Sequence, residues 1–93
     1  MKEITFLYMQ GCPYCRNAKR AMAELREEEQ ALANVPVRAL DIDNDIEARA
    51  FANQYEYVPT MFIDKEKLYE AHPEETYAET KAKVRMVFQK ASV

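Results

Sequence analysis

The chain has 93 residues, 48% apolar and 31% charged, with a formal net charge of −3 and an isoelectric point near 5.2. That length predicts one domain, and that composition predicts a soluble, ordered core and not a disordered chain. The mild acidity argues against nucleic-acid binding, which needs a basic face, and no apolar run approaches the ~20 residues of a membrane span.

Residues Glu3–Tyr8 alternate and run apolar, with Ile4, Phe6 and Tyr8 on one face and Thr5 and Leu7 on the other. This predicts a central strand covered on both sides. The apolar part is too short, and too interrupted by Thr5 and Gln10, for a secretory signal, so a cytoplasmic setting is expected. Met9–Gly11 reads as a turn that holds the only glycine in the chain. Pro13 suits the first helical position, where its missing N–H costs nothing. From Pro13 to about Leu32, the stripe Cys15, Ala18, Met22, Leu25, with Ala21 beside it, predicts an amphipathic helix. Arg16, Arg20, Glu24 and Glu27 lie on its other face, and Asn34 and Pro36 end it.

Val37–Ile42 reads as a second strand. Asn44 followed by Glu47 fits a capping box opening a second helix to about Tyr55, with Ile46, Ala50, Phe51 and Gln54 expected inside. After Tyr57-Val58-Pro59 come a third strand, Thr60–Ile63, a turn, Asp64–Glu66, and a fourth strand, Lys67–Ala71, forming a hairpin. Pro73-Glu74-Glu75 is expected to open a last helix with acids at its positive end. Thr76 and Glu79 offer a later start by the same capping pattern. Tyr77, Val84, Val87, Phe88 and Ala91 supply its buried side. The order β-α-β-α-β-β-α predicts an α/β fold with a mixed four-stranded sheet. Its first two strands are parallel through a right-handed crossover, the final hairpin is antiparallel, and helices cover both faces.

The chain has two cysteines, Cys12 and Cys15. Their close spacing makes a poor disulfide staple, because a tiny loop adds little chain-entropy stabilisation. It suits a dithiol–disulfide couple across the first turn of a helix. Cys12 would sit among the unpaired N–H groups of the helix start, a setting that lowers cysteine pKa values from ~8.5 to ~3.5–7.5. Cys15, one turn on and directed to the core, would stay a thiol until needed. On this reading Cys12 attacks a substrate disulfide and Cys15 resolves the mixed disulfide. Pro13 removes a donor near the sulfur, and Tyr14 offers an exposed aromatic for packing a partner. Structural zinc needs four ligands, and beyond the two cysteines only His72 remains, read as a solvent-facing cap. Asp41, Asp43 and Asp45 read as a solvated face. Pro59, before the third strand, occupies a position where proline is tolerated.

The segment Gly11-Cys12-Pro13-Tyr14-Cys15-Arg16-Asn17-Ala18-Lys19 resembles the active-site signature of dithiol glutaredoxins. Val58-Pro59-Thr60 resembles the cis-proline segment shared by the thioredoxin superfamily. The element order is similar to the minimal form of that three-layer fold over nearly the whole chain. The resemblance implies a thiol–disulfide oxidoreductase with Cys12 as nucleophile and Cys15 as resolving thiol. It also implies a cis Pro59 beside the sulfurs, and backbone at Val58 that pairs with extended glutathione or peptide like an added strand. Tyr14, Val58, Pro59 and Thr60 are the implied substrate-binding positions. No resident cofactor is implied. The partners implied are disulfide-bearing proteins or small molecules, and a reductant such as glutathione or thioredoxin reductase. Nothing in the chain demands a dimer, so a monomer is expected. Glutaredoxins carry glycine pairs in the hairpin and after it, near bound glutathione; Asp64–Glu74 here holds none, which weakens the case for glutathione. The buried acid of thioredoxins on the first strand is also missing; Phe6 stands near that level. Two alternatives remain compatible with the sequence: an iron–sulfur module formed by two chains through Cys12, and a non-catalytic binding protein on the same fold.

Overall fold

The computed structural model describes residues 1–93. Its regular elements are β1 (Ile4–Tyr8), α1 (Pro13–Glu28), β2 (Val37–Asp41), β3 (Thr60–Ile63), β4 (Glu66–Glu70) and α2 (Tyr77–Ala91), with short 3₁₀ turns at Gln30–Leu32 and Ile46–Phe51. The strands form one mixed sheet in the order β2-β1-β3-β4. β1 runs parallel to β2, aligning Ile4 with Val37 and Leu7 with Leu40. It is antiparallel to β3, and β3 is antiparallel to β4, with an irregularity between Met61 and Phe62. This is the α/β, thioredoxin-like arrangement expected from the element order. No helix is long and apolar enough to cross a membrane.

β1 is central and buried on both faces, as its unbroken apolar run requires. Ile4 and Phe6 face the larger core, where Ala18, Ala21, Met22 and Leu25 of α1 meet Val84, Val87, Phe88 and Ala91 of α2. Leu7 faces the smaller core with Leu40, Ala48 and Phe62. Both long helices therefore lie on one face of the sheet. The other face carries only the 3₁₀ turn and its flanks, where Phe51 packs against Phe62 with ring centroids 4.7 Å apart.

Four expectations from the sequence are corrected. First, α1 stops at Glu28 and not near Leu32, because Glu29 leaves the helical conformation. A 16-residue helix is already about 24 Å long, beyond the ~17 Å of a five-residue strand. The break returns Leu32 and Val35 to the core, where both are buried.

Second, the predicted second α-helix is the short 3₁₀ turn, and Asn44 and Glu47 form no capping box. Asn44 Nδ2 donates instead to Asp41 Oδ2 at 2.9 Å, and no side chain caps the turn. With three residues per turn, Ala48 and Phe51 share the inner face. Ile46 is 68% exposed, and Ala50 and Gln54 are exposed too.

Third, Pro73–Glu75 does not open the last helix. α2 begins after Thr76, whose hydroxyl takes the Glu79 N–H while the Glu79 carboxylate takes the Thr76 N–H. Fourth, β4 runs Glu66–Glu70, one residue earlier than expected. Ala71 continues the edge only through its N–H, which donates to Pro59 O at 3.0 Å.

Candidate active site

The site lies where β1 ends and α1 begins. Gly11 has φ +74°, in the left-handed region that glycine adopts without strain. Cys12 follows in extended conformation as the N-cap residue, and Pro13 fills the first helical position. The Cys15 N–H donates to Cys12 Sγ at 3.1 Å, so the sulfur satisfies a donor that the helix start would otherwise leave unpaired. The Cys12 thiol points at Val58 O, 3.8 Å away. Both cysteines are free thiols.

Cys12 is 8% exposed and Cys15 2%. Cys12 lines two open cavities. One, of about 200 Å³, also touches Gln10, Cys15, Arg16 and Lys19. The other, of about 350 Å³, is an apolar groove between Met9, Tyr14, Ile42, Tyr55, Tyr57 and Val58. Burial pushes the Cys15 thiol up to about 12, aided by its hydrogen bond with Cys12; the Met9 backbone and the Lys19 ammonium oppose that rise.

The Val58–Pro59 peptide bond is cis. Thr60 is wholly buried, and its hydroxyl donates to Tyr57 O at 2.5 Å. The structure therefore brings Cys12, Cys15, Tyr14, Val58, Pro59 and Thr60 to one end of the sheet. Tyr14 is half-buried rather than fully exposed. Its phenol accepts the Glu74 N–H at 2.8 Å, which ties the cysteine segment to the turn before α2. That turn lines a third cavity of about 170 Å³ with Tyr14, Tyr57, Val58, Ala71, His72 and Pro73.

Sequence reasoning did not find three bracing carboxylates. Glu70 accepts the N–H groups of Glu56 and Tyr57 at 2.6 and 2.8 Å, fixing the approach to the cis bond. Glu75 turns inward, and its Oε2 accepts the hydroxyls of Tyr69 and Thr80. Asp41, read from the sequence as solvated, is 5% exposed. Its carboxylate takes Asn44 Nδ2, the Asp43 N–H and Gln10 Nε2, which steadies the loop beside the site. The Glu70 pairing spans 13 and 14 residues and depends on chain segments meeting in space, whereas Asp41 is bound mainly within its own loop, by residues two and three positions on. His72 is half-exposed, with Nε2 at 3.7 Å from Glu75 Oε1 and 3.9 Å from Glu79 Oε2. No cluster of three or more His, Cys, Asp or Glu side chains is placed to share a metal ion.

A family model described as Glutaredoxin matches residues 3–68, the span from β1 into β4 that holds both cysteines and Pro59. No curated protein matches the chain. Among solved structures, one described as "Structure of a malarial protein" is similar over 90% of this chain and 93% of its own, with a TM-score of 0.55 and 17% identity. That likeness concerns the fold alone.

Proposed function

The chain belongs to the glutaredoxin family, redox proteins of thioredoxin-like fold, and on that premise we propose that it is a thiol–disulfide oxidoreductase working through Cys12 and Cys15. The observation that carries this reading is the placement of Cys12 Sγ. It caps α1, receives the Cys15 N–H at 3.1 Å and lines two open cavities. That donor fixes the direction of the sulfur and the cavities leave it open to an incoming disulfide, where a cysteine sulfur acts as the nucleophile.

In the first step Cys12 Sγ attacks one sulfur of a substrate disulfide. A Cys12–substrate bond forms, the substrate S–S bond breaks, and its electron pair leaves on the other sulfur, which takes a proton from solvent. In the second step Cys15 loses its proton and attacks Cys12 Sγ. The Cys12–Cys15 disulfide forms and the remaining substrate thiolate departs. The substrate gains two electrons, and an external dithiol or thiol pair later returns them. Tyr14 and Val58 form the wall along which substrate lies, and the buried Pro59 and Thr60 back it from inside. Val58 supplies main-chain groups to an extended segment.

Of the two reductants, glutathione is the weaker on this reading. Glycine pairs leave room for a ligand against the backbone; here Pro73 and Glu74 carry side chains and Glu74 is bound to Tyr14. The assay that decides compares turnover with glutathione plus its reductase against thioredoxin reductase plus NADPH, using insulin as the disulfide. Cys12→Ser is expected to abolish turnover in both. Cys15→Ser is expected to accumulate the substrate disulfide-bonded to Cys12, visible by mass spectrometry. Full activity of both variants would refute the mechanism.

A further inference from the structure

The second step sets a problem that the two sulfurs alone do not solve. Cys15 is 2% exposed and its thiol is held up to about 12, so its thiolate is scarce at neutral pH. In thioredoxins a buried acid on the first strand lies behind the pair; here Phe6 stands in that region, wholly inside the larger core.

The titratable and charged groups around Cys15 are few. Cys12, Arg16 and Lys19 come from α1, and the first cavity joins all three to Cys15. From β4, Tyr69 lies within electrostatic reach, but its hydroxyl is committed to Glu75 and burial pushes its ionisation up. Lys19 stands four residues after Cys15, on the same side of the helix. Its Nζ lies 3.9 Å from the centroid of the Tyr8 ring. It joins none of the ion pairs of the molecule. The cation is thus parked on an aromatic face at the end of β1, free of any carboxylate that would neutralise it. The cavity of about 200 Å³ has room for several waters at ~30 Å³ each.

We propose that Lys19 is a positioning residue for the resolving step, its ammonium stabilising the Cys15 thiolate across the cavity while cavity water carries the proton to solvent. This rests on the oxidoreductase reading above. The Cys15 proton passes to water, the Cys15 electron pair forms the bond to Cys12 Sγ, and the Cys12–substrate bond breaks with its pair on the departing sulfur. Lys19 keeps its own protons and touches no reacting atom.

The test separates the two steps with dithiodipyridine, a neutral aromatic disulfide that releases one coloured thiopyridone when Cys12 attacks and a second when Cys15 resolves. Stopped-flow absorbance on the reduced full chain reads both phases. Lys19→Met is expected to slow the second phase about threefold relative to the first, the net of a scarcer but more nucleophilic thiolate. The second phase of the parent is expected to slow as salt screens the exposed ammonium, and that of Lys19→Met to be less sensitive to salt, Arg16 alone remaining at the cavity. Lys19→Arg keeps the charge and is expected to restore the parent's pH profile. Superimposable second phases for parent and Lys19→Met across pH and salt overturn the proposal, as does equal slowing of both phases. A first phase that survives Cys12→Ser overturns the oxidoreductase assignment, and this inference with it.

Discussion

The Glu70 carboxylate accepts two consecutive backbone N–H groups, those of Glu56 and Tyr57, and is paired with Lys67 at 2.5 Å. Burial works to raise its ionisation, but Lys67 and the two N–H donors outweigh it and hold the carboxyl below its ordinary range. This one side chain holds the chain just ahead of Val58 and Pro59. Glu70→Ala is expected to speed amide hydrogen exchange at Glu56 and Tyr57 and to cut disulfide turnover on the order of tenfold, because small displacements of positioned groups are costly. Unchanged exchange at both amides would show that the loop holds itself. Glu75 poses a different question. Its Oε1 is buried with no hydrogen-bond partner, while Oε2 satisfies two buried hydroxyls. Glu75→Leu leaves the Tyr69 hydroxyl without its acceptor, while Thr80 keeps the Thr76 carbonyl at 3.1 Å, and is expected to cost about 1–3 kcal/mol in urea unfolding. The places of Cys12 and Cys15 at a helix start and of Pro59 just ahead of β3 were legible because neighbouring residues set them. The partners of Glu70 lie 13 and 14 residues away, and nothing local marks the pairing.

At the scale of elements, two identical local signatures had opposite fates. Thr76 and Glu79 form the capping box that their spacing predicts. Asn44 and Glu47 share that spacing and do not, because the Asp41 carboxylate takes Asn44 Nδ2 and the Asp43 N–H while Asp45 Oδ2 takes the Asp41 N–H. The loop's own acids offer better partners than a helix start, and side-chain competition of this kind is invisible to spacing. Helix pairing shows a second limit. Glu24 of α1 accepts the Tyr77 hydroxyl and Lys81 Nζ of α2, together with Arg20 of its own helix, although the sequence shows only a charged face. Tyr77, then Lys81, then Arg20 bring the Glu24 carboxyl from 4.5 down to about 2. A carboxyl depressed on folding contributes stability that is fully present above its unfolded value and is lost as pH falls through its folded value. The melting temperature of the parent is therefore expected to fall between pH 4.5 and about 2 more steeply than that of Glu24→Gln. Parallel curves would show that the clamp contributes nothing through ionisation.

Across the whole molecule the sheet is covered unequally. The parallel β1–β2 pair and the antiparallel β3–β4 hairpin follow from the order and length of the predicted elements. The placement of both long helices on one face does not, because the sequence promised a second α-helix for the other. That face closes instead with a 3₁₀ turn contributing Ala48 and Phe51, thin cover next to the groove that Val58 and Tyr55 share with Cys12. Stability should accordingly concentrate in the α1–sheet–α2 side. Phe88 is wholly buried there, and Phe88→Ala is expected to cost about 3–5 kcal/mol. That is a large part of the ~5–15 kcal/mol of a typical domain, and at ~4–8 °C per kcal/mol for a chain of this size it lowers the melting temperature by tens of degrees. Ile46 belongs to the opposite face, and helical periodicity would bury it, but the 3₁₀ turn leaves it 68% exposed. Ile46→Ser is therefore expected to stay within about 0.5 kcal/mol of the parent. A loss comparable to that of Phe88→Ala would mean that this segment packs in solution as the longer amphipathic helix, with Ile46 turned onto the sheet.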